Sequence, residues 1–121
     1  MKFKQIENYE EGRCFLKAME VLGNDMSWEY KIYEEACNEF GGISLEDILS
    51  IFNRCYGTCH IFSHFDKYEF ETLKQIDLTG KTGILLLINN LTQAHACAII
   101  DGVVMDMVKP NSDSLVIGVL E

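Results

Sequence analysis

Three residues of this chain, Cys14, His95 and Asp106, have the side-chain types that thiol hydrolysis requires. A sulfur attacks a carbonyl carbon, an imidazole takes and returns the proton, and a polar group fixes the orientation of the imidazole. Cys14 follows the polar, glycine-containing run "ENYEEGR" and opens the largely apolar stretch "CFLKAMEVL". A cysteine in the first turn of a helix meets unpaired N–H groups and the positive end of the helix dipole, which favour an anionic sulfur. His95 opens "HACAIIDGVVMD", in which Asp101-Gly102 separates two β-rich runs. Asp-Gly at such a place predicts a two-residue type I′ hairpin, whose central residues both need positive φ. With Ile100 paired to Val103, Cys97 opposes Asp106 and His95 opposes Val108. His95 and Asp106 then share one face as diagonal neighbours, roughly 7–8 Å apart at the backbone and within side-chain reach. Asp101 lies at the far turn, out of reach. Asn111 is a second orienting candidate if the loop after Lys109 folds back.

The elements that must position these groups follow from periodicity. Apolar residues cover all but a narrow stripe of Arg13–Leu22, which predicts a helix buried on most sides. A second helix is expected after Ser27 as N-cap, with Trp28, Ile32, Ala36 and Phe40 at i, i+4 spacing and Gly41-Gly42 as the stop. Ser44, with Asp47 three residues on, opens a third that Gly57 ends. Beyond it the period falls towards 2, and strands are expected at 58–63, 83–88, 95–100, 103–108 and 115–120. The segment 66–78 reads equally as strand or short helix. Helices first and short-looped strands afterwards predict a single α+β domain over residues 1–121, its N-terminal helices packed on a C-terminal antiparallel sheet.

The remaining composition narrows the function. The 121 residues carry a formal net charge of −9, which opposes binding to nucleic acid. A helix-turn-helix is excluded on the same ground, since its recognition helix would begin "SLED" and bring Glu46 and Asp47 against phosphates. Cys55, Cys59, His60 and His64 are zinc-ligand types. On a strand, however, His60 and His64 stand ~13 Å apart, too far for one ion. No apolar run approaches the roughly 20 residues of a membrane span, and the N-terminus has no apolar signal region. Five cysteines, an odd number, fit reduced thiols. A cytoplasmic protein without metal, cofactor, membrane or nucleic-acid partner is therefore expected.

The hairpin "HACAIIDGVVMD" resembles the H-x-x-A-[IV]-[IV]-D-G-x-[IV]-x-D hairpin of small papain-like cysteine hydrolases of phages and bacteria, and "GRCFLKAM" resembles their D-C-x-x-R-A helix start. Arg13 and Lys17 depart from that second pattern. The resemblance implies a papain-like fold in which Cys14 is the nucleophile, His95 the base and Asp106 the orienting group. It further implies an amide side chain about six positions before the nucleophile as oxyanion donor, which falls on Asn8, with Gln5 as a substitute. The activity implied is hydrolysis of an amide or isopeptide-type bond in a peptide or protein substrate. A reading from another class rests on charge. Glu7, Glu10, Glu11, Glu34, Glu35, Glu39, Glu46 and Asp47 all lie in the helical half. They suit a non-catalytic acidic protein that engages a basic protein partner, such as a phage-encoded inhibitor of a host nucleic-acid-binding enzyme.

Overall fold

The computed structural model describes residues 1–57, 61–63, 71–90 and 93–121. It is an α+β fold with a six-stranded mixed sheet and four short helices. In chain order these are β1 (Lys2–Gln5), α1 (Cys14–Val21), α2 (Ser27–Ile32), α3 (Glu34–Glu39), α4 (Leu45–Tyr56), β2 (Ile61–Ser63), β3 (Gly83–Asn90), β4 (Gln93–Ile100), β5 (Val103–Asp106) and β6 (Leu115–Leu120). The strand order is β1-β5-β4-β3-β6-β2. All pairings are antiparallel except that of β1 with β5, which is parallel. The expected sheet was antiparallel and built only from the C-terminal half. The extra strand, "KFKQ", sits at an edge, where polar residues are favoured and an apolar alternation is not needed.

Period-2 alternation divides the sheet into two apolar faces. On one, Ile84, Leu86, Ala96, Ala98 and Leu120 meet Phe15, Leu16, Ala18 and Met19 of α1 and Ile48, Ile51 and Phe52 of α4. The helix α1 packs chiefly on β4, where Ala96 and Ala98 present only methyl groups. On the other face, Leu85, Leu87, Cys97, Ile99, Val104, Val116 and Val119 lie under Leu73 and Leu78. The hairpin turns as its sequence demands: Ile100 pairs with Val103, and Asp101 (φ 47°) and Gly102 (φ 78°) both occupy the left-handed region. The helix α4 has the expected ends. Ser44 Oγ accepts from the Asp47 N–H at 3.2 Å, and Gly57 closes the helix at φ 72°.

The second helix departs from expectation in three ways. It breaks at Tyr33 into α2 and α3. Its start is tied by Asp25, whose Oδ1 accepts from the backbone N–H of Ser27 at 3.0 Å and from its hydroxyl at 2.6 Å, while Ser27 is already helical. Most consequentially, its apolar stripe faces outward. Trp28 is 64% exposed, Ile32 48% and Phe40 79%, whereas Met26, Glu29 and Cys37 are buried. Of the zinc-type residues, Cys59, His60 and His64 lie outside the described residues. So do residues 66–70 of the ambiguous segment 66–78; the described remainder makes a single bridge, Thr72 to Leu115, and then a turn. No helix among the described residues is long and apolar enough to cross a membrane.

Candidate active site

The approach to Cys14 is held from both sides. After β1, the Ile6 N–H donates to the Asp106 carbonyl at 2.9 Å, carrying the β1–β5 pairing one step further. Gly12 turns the chain at φ +84°, and a Cβ there would stand 2.4 Å from the Cys37 carbonyl oxygen, so only glycine fits. Arg13, in the N-cap position of α1, donates to Asn38 Oδ1 at 2.7 Å and to the Glu11 carbonyl at 3.1 Å, and pairs with Glu10 at 3.3 Å. These contacts clamp the turn against α3. Cys14 then begins α1, where the helix has no side-chain cap to occupy its first N–H groups.

His95 and Asp106 arrive from neighbouring strands. Pairing between β4 and β5 covers only Ala98–Ile100 with Val103–Met105. The pairs expected beyond it, Cys97 with Asp106 and His95 with Val108, do not form. The strand β5 ends at Asp106, so His95 stands beside an open stretch of the β4 edge. Its side chain carries the parity of the face opposite α1, shared with Leu87 and Cys97. His95 Nε2 lies 2.5 Å from Asp106 Oδ2. With Nε2 so engaged, Nδ1 is the ring nitrogen left for the hydrogen bond that His95 shares with the Cys14 sulfur.

Asp106 is 3% exposed and well supplied with donors. Its Oδ1 accepts from the Tyr9 hydroxyl at 2.7 Å and from the Met107 N–H at 2.8 Å. Burial works against a charge on His95, but the hydrogen bonds to Asp106 and Cys14 outweigh it, and its pKa is pushed up to about 10. The ring is therefore an imidazolium at neutral pH, with one N–H towards the carboxylate and the other towards sulfur. Tyr9 is held protonated, its pKa raised by burial and by its bond to Asp106, so it remains a donor. Burial also raises the thiols of Cys37, Cys55 and, most strongly, Cys97. Desolvation keeps those three neutral, the inert state of a structural cysteine.

The structure thus brings Cys14, from the start of α1, to His95 and Asp106, which share the β4–β5 hairpin more than 80 residues later. Asn8 lies next to the cluster in sequence and is exposed, and its side chain makes no hydrogen bond among the described residues. Gln5 is occupied, donating to the Met107 carbonyl at 3.1 Å. Asn111 is spent within its own turn, where Oδ1 accepts from the Asp113 N–H at 2.9 Å. Tyr9 escaped the sequence reading. Its contact spans 97 residues, and the only local sign is an aromatic hydroxyl in the polar run before Cys14. The arrangement can deliver a sulfur nucleophile, a proton donor held in one orientation, and free N–H groups at the start of a helix. Compared with known proteins, the chain matches no family model, no curated protein and no solved structure.

Proposed function

We propose that this chain is a papain-like thiol hydrolase that cleaves an amide or isopeptide-type bond in a peptide or protein. The observation that carries the reading is the continuous Cys14–His95–Asp106 contact, with Asp106 bound by Tyr9. Cys14 sulfur adds to the carbonyl carbon. The oxyanion that forms is met by the N–H groups at the start of α1 and by the Asn8 amide. His95 Nδ1–H protonates the leaving nitrogen as the C–N bond breaks, which leaves a thioester on Cys14 and a neutral ring. The neutral ring then takes a proton from water, hydroxide adds to the thioester, and the acid departs as the sulfur is released beside imidazolium. Throughout the cycle Asp106 fixes the ring so that Nδ1 faces sulfur, and it stabilises the charged form.

The test is chemical and needs no identified substrate. Iodoacetamide at pH 6 should modify Cys14 at least tenfold faster than any other cysteine, read by peptide mass mapping. His95→Ala should remove that advantage, and Cys14→Ala should remove the fast adduct while the fold remains. Equal rates at all cysteines, or a fast rate that survives His95→Ala, would sink the proposal.

A further inference from the structure

The helix stripe that faces the wrong way carries a second role. Trp28 and Ile32 stand one turn apart on α2, and both are exposed, as is Phe40 at the end of α3. Helical hydrogen bonds meet at the Tyr33 break, one from the Tyr33 N–H to the Glu29 carbonyl and one from the Cys37 N–H to the Tyr33 carbonyl, both at 2.9 Å. The spacing Trp28, Ile32, Glu35, Glu39 therefore keeps to one side of a nearly continuous helix, in the 4-3-4 rhythm of a surface that receives another helix. Large apolar side chains at that spacing are normally buried, and an exposed run of them marks an interaction surface.

Charge selects the occupant. Residues 24–47 contain seven acidic residues and one lysine, so most of the net charge of −9 is concentrated there. Glu34, Glu35, Glu39 and Glu46 are exposed. Among the described residues, none of these four forms an ion pair. Two copies of such a face repel each other, which argues against self-association. We propose that the outer face of α2 and α3 docks a basic amphipathic helix of a partner protein, with apolar anchors on Trp28, Ile32 and Phe40 and Lys or Arg side chains on the glutamates. This face is independent of the thiol chemistry. It fits a basic protein substrate as well as a partner that is never cleaved.

Trp28 is the only tryptophan of the chain and lies on the proposed face, so its emission reports binding directly. Full-length protein is titrated with a designed helical peptide carrying Lys and Arg on one side and Leu and Phe on the other. The emission should shift to the blue, and binding should weaken as salt rises. Glu34→Lys with Glu35→Lys should weaken binding by about tenfold at low salt. Ile32→Glu with Phe40→Glu should abolish the shift and leave the reporter in place. Both pairs replace exposed side chains, and circular dichroism confirms the fold. Cys14→Ala should bind like wild type, which separates this result from the fate of the hydrolase proposal. An emission unmoved by the peptide, a shift that survives Ile32→Glu with Phe40→Glu, or a concentration-dependent dimer that covers Trp28 would each overturn the assignment.

Discussion

Two carboxylates are buried to nearly the same degree, Asp106 at 3% exposure and Glu29 at 5%, and they are treated differently. Asp106 has partners on both oxygens: His95 on Oδ2, and the Tyr9 hydroxyl with the Met107 N–H on Oδ1. Glu29 has Arg54 on Oε1, while Oε2 has no partner among the described residues. Arg54 is itself 55% exposed at its side chain, so that pair opens to water on one side. A buried carboxylate with every oxygen bound can hold only one geometry, and so can hold another group in place. A half-satisfied carboxylate joins two helices and fixes little else. Satisfaction of the lone pairs, more than depth of burial, separates a group built to position from one built to brace.

The sharpest way to break this contrast is at Asp106. Asp106→Asn should lower hydrolysis by about 10²–10⁴-fold, the usual cost of disabling general acid–base catalysis. In the same variant the His95 pKa, followed by NMR titration of the ring, should fall from about 10 towards its ordinary 6.5, because the strongest contact that holds the proton is weakened. A variant with unchanged activity and an unchanged titration would mean that Asp106 braces the fold as Glu29 does.

The same pKa sets a pH dependence of stability. The folded-state value of His95 is raised, so the folded protein binds this proton more tightly than the unfolded chain does. Its contribution is full below about pH 6.5 and is lost as pH rises towards about 10. Denaturant midpoints should therefore fall across that window in wild type. The His95→Gln protein should lack this component of the fall. A His95→Gln curve parallel to wild type across the window would remove His95 as its source.

At Glu29 the expected losses reverse. Arg54→Met should cost about 2 kcal/mol of stability, less than a fully enclosed pair because water already reaches Arg54. The hydrolytic rate should not change. Urea denaturation beside a turnover assay checks both at once, and a loss of rate without a loss of stability would tie Glu29 to the site after all.

Features written in local sequence were legible. Asp101-Gly102 dictates its own turn, Ser44 and Asp47 dictate a helix start, and "GILLLI" can only be a buried strand. Cys14, His95 and Asp106 were legible as types, and register arithmetic put the last two on one face. The exact pairing was not, because β5 stops at Asp106 and nothing in "VVMDMV" marks that stop. The direction of the Trp28–Ile32–Phe40 stripe was illegible for a general reason. Periodicity shows that apolar residues share a side, but it does not say whether the domain supplies a surface to cover them. Glu29 shows the same limit from inside, since the cation that pairs with it, Arg54, lies 25 residues later on α4. Tyr9 lay deepest, because a hydroxyl that meets a carboxylate 97 residues later leaves no spacing to read.

Tyr9 also supplies the finest test of the comparison, since it is the partner whose removal makes Asp106 most like Glu29. Tyr9→Phe keeps the ring and its packing and removes one donor from Oδ1, leaving the Met107 N–H there. A hydrogen bond to a charged acceptor is worth about 1.5–3 kcal/mol, and the remaining backbone donor puts the expected loss of stability near the lower end. If the bond serves orientation, the rate constant for hydrolysis should drop by about three- to tenfold with little change in KM, because a loosely held Asp106 lets the His95 ring turn away from sulfur without touching substrate. A purely structural Tyr9 predicts the same loss of stability with an unchanged rate constant below the melting range. The two outcomes are separated by measuring both quantities on one preparation at a temperature where the variant is fully folded.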